Sequence, residues 1–333
     1  GATTVASGTQ LTADGGRIDL TGYDITLGAE SVAKAKDIWL TGSNSVTIHP
    51  NSTQQGSLHS KCGDVCTISS ITSPGEGKGN IYTYSALNSI NVSAVQYTAL
   101  PLNNEVASFE FSAPIVTFTN TTIKIQANTF GDAGAFRIGL VSTDASNNKI
   151  VKPAREINLL ESSLIANSTN SSETKKGNIE ASANIIKLIK SKLLAETDGT
   201  GFGGQITINA EALTLDSGSV VTAQTSGTGV GGTIHVETGA LNIDSGATLS
   251  TKAFNKGNAG MILINTGINS GDLNVSIDPD GRKNSSITAK TEYKDLALGN
   301  NSYQQAAGGL ISLGNGKNSI NVSGYGQIGR AHV

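Results

Sequence analysis

The sequence is poor in charge, in proline and in the larger helix-favouring residues: 15% of its 333 residues are charged, and it holds 6 prolines, 1 methionine and 1 tryptophan. A net charge of −3, from 23 basic and 26 acidic residues, is too small to build a strong field over a chain of this size. Nucleic acid is therefore disfavoured as a partner, since that affinity rests on clustered Lys and Arg. Long hydrophobic runs are also missing. The longest apolar stretch, around 185–194, is cut by Lys187, Lys190 and Lys192, far short of the ~20 residues that cross a bilayer, so no membrane-spanning segment is expected.

What is present points to sheet. With 37% apolar residues and 40 glycines the chain has the apolar content of a folded protein. Its Val, Ile and Thr lose rotamer freedom on a helix and suit strands, so an all-β fold is expected. Only two cysteines occur, Cys62 and Cys66 in KCGDVC. They fit a small-loop disulfide, which implies an oxidising compartment, or two inert thiols; a metal site would need more ligands than nearby His59 offers.

The organising feature is a repeat between Gly177 and Thr251. GGQITINAEALTLDSGSVVTAQTSGTGV (203–230) is followed by GGTIHVETGALNIDSGATLSTKAFNKGNA (231–259), which aligns Ile206 with Ile234, Leu213 with Leu241, Leu215 with Ile243 and Gly218 with Gly246. A preceding unit places Ile179, Ile186, Leu188 and Leu194 against Ile206, Leu213, Leu215 and Val221. Apolar residues two apart are the strand period, and the odd step from Ile208 to Leu213 calls for a bend if both pairs are to face inward. The same skeleton recurs as Ile18, Leu20, Ile25, Leu27 and Val32, and as Phe109, Phe111, Val116, Phe118 and Ile123. Looser copies are Ile38, Leu40, Val46 and Ile48; Ile157, Leu159 and Ile165; and Leu310, Ile311, Leu313, Ile320 and Val322. The expectation is one domain over 1–333, a right-handed parallel β-helix (β-solenoid) of about twelve coils. Irregular excursions are expected near 51–80, 141–156, 166–176 and 278–301, where polar turn residues concentrate.

The GGxIxIxAxxLxLxxGSxVxAxT pattern of 203–225, restated at 231–251, resembles the haemagglutinin repeats of filamentous-haemagglutinin-like exoproteins of the two-partner secretion type. The close match covers Gly177–Thr251, and the NPNG/NxNG-type signature of that family's amino-terminal secretion domain does not occur. The resemblance implies a secreted or bacterial cell-surface protein that acts as an adhesin or structural stalk. Its implied partners are host cell surfaces or glycans and an outer-membrane transporter during export; separately, open coil ends are expected to stack on like subunits unless capped, as exposed edge strands do.

Chemistry is hard to find. A pectin-type hydrolase needs several aspartates on adjacent coils, commonly beside a GHG motif, and no GHG occurs. A polysaccharide lyase needs a carboxylate cluster beside a basic residue, and the one compact candidate is Asp278, Asp280, Arg282 and Lys283 in DPDGRK, which also reads as an ordinary turn. His49, His59, His235 and His332 are isolated, with His235 outward by alternation, and DGTGFGG (198–204) lacks the GK[ST] ending of a phosphate loop. A non-enzymatic protein without cofactor is expected; the alternatives are a carbohydrate-active β-helix and a filament-forming subunit. Asn-x-Ser/Thr sequons stand at Asn51, Asn91, Asn120, Asn167, Asn170, Asn274, Asn284, Asn300 and Asn321.

Overall fold

A computed structural model describes residues 1–72, 81–101, 106–127, 132–168, 177–198, 200–254, 258–267, 271–281, 284–292, 309–314, 319–324 and 327–332. These residues form strands and turns and no helix. Nineteen strands belong to one hydrogen-bonded sheet and eight to another. Almost every pairing is parallel; the exception joins Asp132–Thr143 to Lys149–Lys152 as an antiparallel hairpin.

The repeat offset is the pairing register. Ile206 pairs with Ile234, Leu213 with Leu241 and Leu215 with Ile243, and Ile179, Ile186 and Leu188 pair with Ile206, Leu213 and Leu215. All of these side chains are buried, in one contiguous core that runs from Val5 to Ile287. Its middle is aromatic: Phe109 stacks on Tyr82 at 4.7 Å and on Phe136 at 5.3 Å, and Phe111 stacks on Tyr84 at 5.3 Å.

The expected right-handed β-helix of about twelve coils is not the architecture found. In the larger sheet, Val32–Ile48, Thr53–Cys62, Ile81–Ala86, Val106–Ser112, Asp132–Thr143 and Asn178–Ile189 pair in succession. From Asn178–Ile189 the pairing returns through Ala154–Leu160, Ile115–Thr119, Ser89–Ser93 and Val65–Ile68 to Val32–Ile48. That closes a barrel-like ring of ten parallel strands, to which the remaining strands of the sheet are added. The physical reason lies in strand length. Gln205–Asp216 and Asn178–Ile189 run unbroken through the point where the apolar spacing suggested that the chain leaves one face for another, so both inward pairs share a single strand. Val32–Ile48 does the same. The spacing of paired residues is also unequal, from Ile18 with Ile38 to Ile262 with Ile311, and the smaller, open sheet starts only at Gln96. A single 28-residue period therefore does not describe the chain.

Local expectations shift as well. Thr53–Cys62 and Val65–Ile68 are regular sheet strands, not an excursion, as is Ser286–Glu292; 73–80, 169–176 and 293–308 lie outside the described residues. The segment 141–156 is the hairpin and the start of the strand after it. Three residues expected inward face partly outward, each with its neighbour in the core: Val32 beside Ala33, Ile165 beside Leu164, and Leu194 beside Leu193, which pairs with Val221. Where two apolar residues are adjacent, alternation cannot choose between them, and the register does. Leu310 and Val322, near the last strands of the sheet, are exposed.

The corner that leads into the smaller sheet is held from inside by hydroxyls. Asn120, Glu161, Lys190 and Ser217 take left-handed φ of 48°, 51°, 49° and 53°, and Thr121, Ser162 and Ser191 follow directly, with Ser219 after Gly218. The Ser191 hydroxyl donates to the Ile189 carbonyl at 2.8 Å and accepts the Ser162 N–H at 3.0 Å, while the Ser191 N–H donates to the Ser219 hydroxyl at 3.1 Å. Ser162 and Ser191 are fully buried, so removing this acceptor strands an amide away from water. Ser191→Ala is expected to cost about 1–3 kcal/mol in chemical unfolding, and Ser191→Thr to recover part of it.

Cys62 and Cys66 are joined as a disulfide across a corner of the larger sheet, with Cα atoms 5.6 Å apart and both side chains buried. Cys62 occupies the inward position between Gly42 and Ala86, and Cys66 that between Val46 and Ile90. Closing so small a loop constrains the unfolded chain modestly, so the double change Cys62→Ala, Cys66→Ala is expected to lower unfolding stability by about 2 kcal/mol. Reductant is expected to leave the folded protein intact while the bond stays buried, which thiol titration before and after urea addition would check.

Candidate binding surface

Alternation that sends aliphatic side chains inward sends Thr, Asn and Ser outward in register. On the second half of the long strands Thr4, Thr26, Thr47, Thr67, Asn91, Thr117 and Asn158 occupy seven successive paired positions. Lys187, Thr214, Asn242, Ser276 and Ser323 continue the column. Adjacent strands lie about 4.8 Å apart, so the column offers hydroxyl and amide groups at a fixed repeat. Threonine is stiff at χ1, which keeps the entropy lost on binding small. Beside it runs a second outward column, with Val65, Ile115, Ile185 and Ala212 among its half-buried or exposed members. Beside the seven-position column its members are Asp24, Ser45, Val65, Ser89, Ile115 and Glu156, so Val65 and Ile115 are isolated apolar contacts within a mixed strip.

The first half of the same strands carries a different outward column. Arg17 lies 4.5 Å over one face of Trp39, and the His59 ring stacks on Trp39 at 4.3 Å. His59 Nδ1 is 2.9 Å from the Thr83 hydroxyl and Nε2 is 3.9 Å from Asp37. Burial holds the His59 pKa below the ordinary histidine range, with the Asp37 charge opposing it. This stack occupies the Trp39 ring, so it is not an open stacking platform for a sugar. Further along, Glu110 is clamped by Arg137 at 3.3 Å and by Lys149 of the hairpin at 2.9 Å. The Glu110 carboxylate is 8% exposed and ties the hairpin onto the sheet.

A shallow groove of about 450 Å³ crosses the middle of the long strands, lined by Asn184, Asn209, Glu211, Glu237, Thr238 and Asn265 among others. Several of its polar groups are engaged in structure. Asn265 accepts the Thr238 N–H at 2.7 Å and donates to the Thr238 carbonyl at 2.6 Å, and Glu237 lies 2.8 Å from His235 and accepts the Gly267 N–H at 3.2 Å.

The residues singled out in DPDGRK do not assemble into a site. Asp278 is buried at a left-handed corner with φ 51°; its N–H donates to the Ile243 carbonyl at 2.7 Å and its carbonyl accepts the Gly281 N–H at 3.0 Å, the geometry of a turn. Asp280 is exposed beside it, and Arg282 and Lys283 lie outside the described residues. His49 is an exposed corner residue, and His235 faces outward as alternation requires. Of the sequons, Asn51, Asn91, Asn120, Asn274, Asn284 and Asn321 are exposed, Asn167 is buried, and Asn170 and Asn300 lie outside the described residues. Outward hydroxyls are visible in the sequence but the seven-position column is not, because unequal spacing hides its members from a 28-residue alignment.

No family model matches the chain, and neither a curated protein nor a solved structure matches it. Among the described residues no helix is long and apolar enough to cross a membrane.

Proposed function

We propose that this chain is a non-enzymatic binding segment of an exported bacterial surface protein, and that it lays an extended glycan along the Thr/Asn column. The observation that carries the reading is the column itself: rigid hydroxyls and amides at a fixed repeat, with the apolar side chains of Val65 and Ile115 beside it, complement a polymer that repeats hydroxyl and C–H faces along its length. The buried Cys62–Cys66 disulfide supports an oxidising, extracytoplasmic location. The repeat pattern of 203–251 supports an adhesin of the haemagglutinin-repeat kind on a host cell surface, with export through an outer-membrane transporter. The structure offers the lyase alternative no support at Asp278, which serves a corner.

The test is a glycan array followed by affinity electrophoresis in the polysaccharides it selects. Retardation is expected, and Thr67→Lys with Thr117→Lys is expected to weaken it at least about tenfold, roughly 1.4 kcal/mol, with the unfolding midpoint unchanged. Equal binding by this variant, an array without signal, or release of new sugar ends from a polysaccharide would each sink the reading.

A further inference from the structure

Trp39 is the single tryptophan of the chain, and its indole is covered from both sides. Its strand, Val32–Ile48, pairs with Gln10–Leu27 on one side and Thr53–Cys62 on the other, in a register that sets Asp19, Trp39, His59 and Thr83 in one outward row. From the first neighbour Arg17 lies 4.5 Å over the ring, held there by Asp19, which accepts from Nε at 2.9 Å and from Nη2 at 2.7 Å. From the second neighbour the His59 ring stacks at 4.3 Å, with the two planes 23° apart.

The two covers differ in kind. The Arg17 guanidinium stays charged, whereas a histidine changes charge near neutrality. A neutral imidazole has one N–H, and the stack provides for it, with Nδ1 2.9 Å from the Thr83 hydroxyl. An imidazolium has two, and Nε2 meets only the Asp37 carboxylate at 3.9 Å, beyond hydrogen-bonding reach. It would also be a second cation on a ring that already carries Arg17. Of the charges around His59, Asp37 and Glu110 favour its proton, and Arg17 and Lys149 oppose it. Asp19 is engaged by Arg17 and Lys34 by Asp14 at 3.2 Å, Lys36 and Lys61 are exposed, and Ile81–Ala86 contributes no charge. Burial outweighs these charges and holds the His59 pKa below the ordinary histidine range. The sign follows: the closed stack is complete above that range and loses ground as the pH falls through it.

We propose that His59 is a proton-operated cover on Trp39: neutral, it stacks on the indole; protonated, it turns off the ring toward Asp37 and water and leaves that face open. Asp37 stands two residues before Trp39 on the same side of the same strand, so a small turn of the imidazole brings Nε2 to its carboxylate while the backbone pairing stays intact. Acid therefore frees one face of a large aromatic ring on the outside of the larger sheet, where it becomes available for stacking.

With one tryptophan in the chain, red-edge excited emission reports this ring alone. The experiment is acrylamide quenching of that emission on the full chain from about pH 8 down to about pH 5, with far-UV circular dichroism beside it. The quenching constant is expected to rise at least about 1.5-fold on acidification, with a midpoint below the ordinary histidine pKa and an unchanged dichroism spectrum. His59→Gln is expected to abolish the pH dependence. Asp37→Asn removes a charge that favours the proton and is expected to move the midpoint to lower pH. A quenching constant indifferent to pH, or a rise that persists in His59→Gln, would overturn the proposal. So would a midpoint that stays or climbs in Asp37→Asn, or a rise that comes only with loss of the dichroism signal. None of these outcomes bears on the Thr/Asn column, which lies on the other half of the strands.

Discussion

Gly232→Ala is expected to destabilise the protein by roughly 3–5 kcal/mol, near the upper end of single-residue effects. Gly177, Gly204, Gly232, Gly260 and Gly309 form a column at the corner where the chain re-enters the larger sheet. The carbonyl of each of the first four accepts the N–H of the residue just after the next glycine: Gln205 to Gly177 at 3.0 Å, Thr233 to Gly204 at 3.1 Å, Met261 to Gly232 at 3.0 Å and Leu310 to Gly260 at 3.1 Å. That bond draws the carbonyl under the next glycine. A Cβ on Gly232 would lie 2.0 Å from the Gly204 oxygen and 2.9 Å from the Ala223 Cβ, and one on Gly260 would lie 1.8 Å from the Gly232 oxygen. Backbone cannot step aside here without breaking the ladder on both sides. None of these five glycines has a left-handed φ, so the requirement is space, not conformational freedom. Gly218→Ala is the informative contrast: it has φ 74° and open space around it, and it is expected to cost only about 1 kcal/mol. Urea unfolding of the two variants beside the wild type measures the difference, and equal costs would show that close approach is not what the glycine column provides.

Phe109→Ala is expected to cost roughly 3–5 kcal/mol. The ring is fully buried between Tyr82 and Phe136 and meets Tyr97 edge-on at 5.8 Å. Truncation removes apolar area and opens a void, and it also ends the stacks on both sides. The flanking rings belong to strands tied to the Val106–Ser112 strand by backbone bonds, so they have little freedom to fill the gap. Phe109→Leu is expected to recover more than half of the loss. Denaturant midpoints with tyrosine fluorescence would follow both changes, and a Phe109→Ala loss below about 1 kcal/mol would show that the aromatic middle of the core is loosely packed.

Most of the core is legible in the amino-acid sequence. Ile25, Leu27, Phe109, Phe111, Leu213 and Ile243 follow from steps of two and five along the chain, and all are buried. The pairing of Ile206 with Ile234 follows from the repeat. The pattern misplaces Val32, Ile165 and Leu194, where an apolar neighbour makes both phases of the strand equally hydrophobic. The hydroxyls at Ser162, Ser191 and Ser219 read as ordinary turn residues, because their task is to receive an amide from a distant part of the chain.

By itself the sequence determined the all-β character, the inward set of aliphatic residues and the pairing of the 28-residue units, because strand periodicity and apolar burial act over a few residues. Only the tertiary structure decided how the strands are shared between sheets, that ten of them close into a ring, and which polar side chains meet on the outside. Those outcomes depend on whether a long strand runs through a bend or breaks at it, and on the unequal lengths of chain between strands. Both are settled by backbone hydrogen bonds between residues far apart in sequence, whose local side-chain pattern is the same in either arrangement.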